Sequence, residues 1–150
     1  MKVVSHRGNL SGPSDEKENS PNQIDLAINK GYLVEIDLRV VNDEYLLGHD
    51  EGKFKISYSW LMERASKLVI HAKDLDTCDI LSSNLDDLNW FYHTDEDVVQ
   101  TSKGWLWAYP GIYLKNAITV ILDKDQIFPE NIRGVCTDYP DLIKFKLDLI

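Results

Sequence analysis

The sequence predicts an α/β fold built on a parallel sheet, on three observations. Short apolar runs of strand length alternate with amphipathic helical segments. Chemistry-bearing residues gather at the C-terminal ends of those runs: His6, His71, His93, Tyr109 and Asp138. In α/β folds that edge is where sites are built. The 150 residues contain no linker, clear repeat or low-complexity stretch, so residues 1–150 read as one domain. A chain of this length buries roughly 70% of its extended surface.

The elements follow in order. Val3-Val4 forms a first strand ending at His6. Asn9 to Ser20 is polar, rich in Ser, Pro, Gly and Glu, and reads as a long loop. Ser20-Pro21-Asn22-Gln23 supplies an N-cap, a proline at the first helical position and a capping-box partner. Ile24, Ala27 and Ile28 make the apolar stripe of that helix, and Gly31 closes it. Leu33 to Val41 reads as a strand, Asn42-Asp43 as a turn, and Glu44 to Gly48 as the returning strand of a hairpin. Ser57 or Ser59 caps a helix through Leu61, Met62 and Ala65. Leu68-Val69-Ile70 is a buried strand leading to His71-Ala72-Lys73. Asp74 or Asp76 opens a helix to about Ser83. Trp90-Phe91-Tyr92 is a strand ending at His93. Asp95-Glu96-Asp97 reads as a solvated helix start. Strands follow at Trp105 to Ala108, Ile118 to Leu122 and Gly134 to Thr137. Asp138 caps a last helix running toward Leu147. Roughly seven or eight runs read as strands.

Composition narrows the partners. The net charge of -9 argues against nucleic acid, whose phosphates recruit basic surfaces, and against unaided binding to an anionic membrane. No apolar run approaches the ~20 residues that span a bilayer. Met1 to Val4 passes straight into Ser5-His6-Arg7, which leaves no room for a secretory signal, so a cytoplasmic protein is expected. Cys78 and Cys136 stand apart without CxxC spacing and read as a reduced, structural pair. An anionic substrate would need a local cation or a few basic groups, with Arg7, Arg39 and Lys73 as candidates.

Three polar clusters in the first third carry the chemistry: His6-Arg7-Gly8, Glu35-Ile36-Asp37 and Gly48-His49-Asp50. Glu35 and Asp37 are two apart on a strand and share one face. An inward pair of carboxylates is costly unless a cation or hydrogen bonds compensate. Histidine titrates near neutrality and suits proton transfer. Trp107 and Tyr109 share a strand face and read as packing at the mouth, with a stacking role as the alternative. His93 is a further candidate for the site lining.

These clusters, with Glu18-Asn19-Ser20 and the ending Gly134-Val135-Cys136-Thr137-Asp138-Tyr139-Pro140-Asp141, resemble the glycerophosphodiester phosphodiesterase family. The resemblance covers the two ends of the chain and little of its middle. It implies a (β/α) barrel of the TIM type. Such barrels typically take ~250 residues. A chain this short is therefore expected to be a reduced barrel, with parallel strands and some short or missing helices. So short a barrel could also be a structural subunit whose edge a partner, such as a second copy, completes.

The resemblance also implies roles. His6 and His49 match the acid/base pair, Glu35 and Asp37 two metal ligands, and Glu18 a glutamate near the metal. Arg7 matches a phosphate-binding arginine, and Lys73 a lysine two residues after the third ligand. That third ligand is a carboxylate in the family and is His71 here. The implied cation is Mg²⁺ or Ca²⁺, which imidazole suits poorly. The expected function is hydrolysis of a small glycerol-like or sugar-linked phosphodiester, by His/His proton transfer with divalent-metal assistance. The alternative is a phosphodiester-binding module with lost or weak turnover.

Overall fold

The computed structural model describes residues 1–84 and 87–149. Ten strands form one strongly curled, open sheet of the reduced (β/α) barrel type. They are β1 (Lys2–His6), β2 (Leu33–Val41), β3 (Glu44–Leu47), β4 (Phe54–Ile56) and β5 (Leu68–Ala72), then β6 (Trp90–Tyr92), β7 (Val98–Gln100), β8 (Leu106–Ala108), β9 (Ala117–Ile121) and β10 (Gly134–Thr137). The parallel ones run β6-β5-β2-β1-β10-β9-β8. Read from β1, this is chain order around a barrel, with β10 returning to pair with β1. No parallel pair joins β6 to β8 among the described residues.

Among the described residues, four α-helices cover part of the outside: α1 (Pro21–Asn29), α2 (Tyr58–Glu63), α3 (Leu75–Asn84) and α4 (Pro140–Asp148). The Ser20 hydroxyl caps α1 by accepting from Gln23 N, as the local sequence dictates. Ser57 does the same for α2 through Trp60 N. Asp74 Oδ1 accepts from Thr77 N at the start of α3. Loops alone join β8 to β9 and β9 to β10, which is how the fold fits into so few residues. None of the described helices is long and apolar enough to cross a membrane.

Period-2 alternation sorts β2 into two faces. Val34, Ile36, Leu38 and Val40 point outward into the layer shared with α1 and α3. Leu33, Glu35 and Asp37 point inward. Burial on both faces is the mark of a central parallel strand. The inner core draws Val4, Val69, Phe91, Trp107, Val120 and Cys136 from β1, β5, β6, β8, β9 and β10. Convergence of so many strands on one cluster requires the curl. Aromatic side chains span the unpaired seam. Phe91 stacks on Trp107 with centroids 5.0 Å apart, and His93 stacks on Tyr109 at 3.5 Å. Ser102 N also donates to Trp90 O at 2.8 Å.

The structure adds one strand that the sequence reading did not name and corrects two local expectations. Phe54–Ile56 is a strand, paired antiparallel with β3. Asp95-Glu96-Asp97 starts no helix: the Glu96 carboxylate accepts from the Thr94 and Asp95 backbones, and Tyr109 N donates to Asp97 O, leading the chain into β7 against β8. Asp138 does not cap α4. Tyr139 takes the cap position without a side-chain bond, and Asp138 turns inward.

Trp107 is 1% exposed and fills the interior beneath the mouth. Trp107→Ala should cost about 3–5 kcal/mol, the usual cost of emptying an aromatic core position. Urea unfolding measures it, and an unchanged midpoint would show that the seam does not depend on this ring.

Candidate active site

The C-terminal ends of the parallel strands enclose a cavity of about 300 Å³. His6, Arg7, Glu35, His71 and Lys73 line one side, and Tyr109 and Leu122 are among the residues opposite. A larger open groove of about 780 Å³ lies at the other end of the strands, around Lys2, Tyr32 and Lys144. It contains no histidine, so the smaller cavity is the chemical one.

Two tight turns build the approach. His6 O accepts from Asn9 N across Arg7 and Gly8, which have φ of 57° and 80°, the left-handed pair of a type I′ turn. A Cβ at Gly8 would press to 3.2 Å on the Gln23 and Ile24 backbone at the start of α1. Arg7 adopts this conformation at a cost, and it is tied down on both sides. Its N–H donates to Glu35 O and its carbonyl accepts from Asn19 N. The second turn carries His49. Gly48 has φ 152°, and a Cβ there would fall 1.9 Å from Glu51 O, so only glycine fits. Arg39 clamps this turn through the carbonyls of Gly48 and His49, which makes it a support for the loop.

Glu35, Asp37 and His71 converge, each offering a ligand atom within 4.8 Å of the others. Pairing of β2 with β5 sets Asp37 beside His71. His71 Nδ1 lies 3.3 Å from Asp37 Oδ1 and 3.9 Å from Glu35 Oε1. Glu35 Oε2 and Asp37 Oδ1 are buried without a hydrogen bond. Positive charge surrounds the pair: Arg7 Nε is 3.2 Å from Asp37 Oδ2 and Lys73 Nζ is 3.7 Å from Oδ1. Asn19 both donates to the Asp37 carboxylate and accepts from its backbone N–H, at 2.9 Å each.

The two carboxylates titrate apart. Burial and the adjacent Asp37 push Glu35 up to about 7, against the pull of His6, Arg7 and Lys73. Burial opposes ionisation of Asp37 too, but His71, Arg7, Asn19 and Lys73 outweigh it and hold that carboxyl well below the usual range. Burial keeps His71 below the ordinary imidazole value, which favours a neutral ring with a free lone pair. A buried Asp37 oxygen without a hydrogen bond, a neutral imidazole 3.3 Å from it and the Glu35 carboxylate beside them fit a divalent cation.

His6 is held from behind. Its Nδ1 donates to Asp138 Oδ1 at 2.7 Å, and Asn9 Nδ2 donates to the same oxygen at 2.8 Å. The ring therefore turns Nε2 toward Glu35 Oε2, 3.8 Å away. Burial lowers the His6 pKa, but the Asp138 bond and the charges of Glu35 and Asp138 raise it overall.

The other candidates take different places. His49 lines the same cavity, is more exposed, and pairs with the exposed Asp50 at 2.7 Å. Glu18 lies in the neighbouring pocket, and its carboxylate bonds to Arg7 Nη1 at 3.2 Å. It stands outside the Glu35-Asp37-His71 group. His93 donates from Nε2 to Glu96 O and presents its ring to Tyr109. Trp107 and Tyr109 both reach the cavity wall. Asp138 and Asn9 escaped the sequence reading as site residues. The only local signal for Asp138 was its place at the end of a strand.

The chain has the fold of solved glycerophosphodiester phosphodiesterases. The enzyme from Parabacteroides distasonis superposes with a TM-score of 0.62 at 12% identity, covering 99% of this chain and 87% of the other. The enzyme from Agrobacterium tumefaciens gives 0.60 at 15% identity, covering 99% of both chains. No family model and no curated protein matches the chain.

Asp138→Asn tests the support of His6. With the pKa raised in the folded state, the stability this pair contributes is present below the ordinary imidazole value. It is lost as pH rises through the raised one. Removing the carboxylate should lower the His6 pKa, read from its ring resonances by NMR titration. An unmoved titration would assign the raised value to Glu35 alone.

Proposed function

We propose that the protein is a phosphodiester hydrolase that cleaves a glycerol-like or sugar-linked phosphodiester by proton transfer between His6 and His49, with a divalent cation assisting. The observation that carries this reading is the convergence of Glu35, Asp37 and His71 beside a His6 ring held by Asp138, with Arg7 and Lys73 in the same cavity. The fold shared with solved phosphodiesterases supports it.

Phosphodiester cleavage requires an activated nucleophile, a protonated leaving group and neutralised phosphoryl charge. Arg7 and Lys73 supply the positive charge that attracts an anionic substrate to a protein of net charge -9. Asp138 fixes the His6 ring so that Nε2 faces the cavity, where it can take or give a proton. His49, on its glycine-built turn, carries the complementary step. One ring accepts the proton of the attacking hydroxyl or water while the other protonates the leaving alkoxide. Glu35, Asp37 and His71 would hold the cation, which when bound would neutralise developing charge on the phosphoryl oxygens. The cavity of about 300 Å³ suits a compact substrate.

His6→Ala and His49→Ala should each lower turnover of a glycerophosphodiester at least ~100-fold, with the fold intact by circular dichroism. Product release by wild type and both variants, assayed with and without chelator, gives the answer. Near-normal hydrolysis by either variant would sink the mechanism. Phosphodiester binding with no metal-dependent turnover would make the protein a binding module.

A further inference from the structure

We propose that the Glu35-Asp37-His71 site selects a first-row transition ion of the Zn²⁺ or Co²⁺ type over Mg²⁺ and Ca²⁺. This deepens the reading above, in which a cation assists the reaction, by naming the class of that cation. The donor set argues for it first. One of the three ligands is an imidazole nitrogen, with Nδ1 at 3.3 and 3.9 Å from the two carboxylates. Mg²⁺ and Ca²⁺ take oxygen donors, whereas a mixed nitrogen and oxygen set suits Zn²⁺, Co²⁺ and their neighbours.

The rigidity of the nitrogen argues for it second. The His71 ring stacks on Phe91 with centroids 4.8 Å apart and planes 16° from parallel. Phe91 in turn stacks on the buried Trp107. The imidazole has little freedom to swing aside and leave an all-oxygen site behind. His71 is also paired with Phe91 in the β5–β6 register, so the backbone fixes the same geometry.

Competition argues for it third. Arg7 and Lys73 already sit 3.2 and 3.7 Å from the Asp37 carboxylate. An ion that offers only electrostatic attraction to oxygen must share that carboxylate with two resident cations. An ion that also forms a coordinate bond to nitrogen gains an interaction that neither Arg nor Lys provides. Asp37 Oδ1, buried, without a hydrogen bond and 3.3 Å from His71 Nδ1, is the oxygen such an ion would satisfy.

The test is calorimetric titration of the chelator-treated full chain with zinc, cobalt, magnesium and calcium chlorides, each alone and without substrate. Zn²⁺ and Co²⁺ should bind at least about 100-fold more tightly than Mg²⁺ or Ca²⁺. His71→Asp should cut that preference at least about tenfold, in a variant shown to be folded by circular dichroism. In the unaltered protein the His71 ring resonances should shift on zinc addition, which keeps the test decisive if the variant does not fold. Equal affinity for Mg²⁺ or Ca²⁺, or zinc binding that leaves the His71 ring unmoved, overturns the proposal. Turnover of a glycerophosphodiester is scored separately. Zinc held at His71 without turnover would remove the proposed function and leave this inference standing. Turnover with Mg²⁺ bound as tightly as Zn²⁺ would do the reverse.

Discussion

Two carboxylates buried side by side on the inner face of β2 are the constraint around which the mouth of this barrel is arranged. Glu35 is 3% exposed and Asp37 is fully buried. Two like charges in a poorly solvated interior are tolerated only with compensation. The strands deliver it from several directions. Arg7 follows β1, His71 lies near the end of β5, Lys73 comes just beyond that strand, and His6 faces Glu35 across the β1–β2 pair. The backbone strain at Arg7 and Asn19, with φ of 57° and 61°, is part of the same arrangement. Both residues are bent so that their side chains reach Asp37.

The rest of the fold serves that mouth with little material. Where a longer barrel would wrap helices, this chain uses bare loops between β8, β9 and β10. The unpaired seam between β6 and β8 is bridged by stacked rings, and the same rings form a wall of the cavity. Packing and chemistry are therefore linked. Phe91 touches Trp107 on one side and His71 on the other, so the core helps to aim a proposed metal ligand.

Much of this was legible in the sequence because it rests on local rules. Period-2 alternation put Glu35 and Asp37 on one face, and Ser20-Pro21 marked the start of α1. Asn42-Asp43 marked the hairpin turn, where both residues have positive φ. The parts that escaped depend on distant partners. Phe54–Ile56 has too few residues to show a period and becomes a strand only because β3 offers an edge. Val98–Gln100 likewise depends on β8. Asp138 precedes a proline-started helix, so local rules make it a cap. Its bond to His6 spans 132 positions and arises only when β10 pairs with β1. The orienting role of Asn9 and the Asn19 clasp on Asp37 are invisible for the same reason.

The claim at the centre is that the buried carboxylates are built to hold a cation together with His71. Anomalous diffraction from a crystal grown with zinc, recorded on both sides of the zinc edge, tests it most directly. The account predicts a peak among Glu35, Asp37 and the Nδ1 atom of His71, within coordination distance of all three. A well-ordered site with no peak there, or a peak bound elsewhere while the two carboxylates stay as they are, would contradict it.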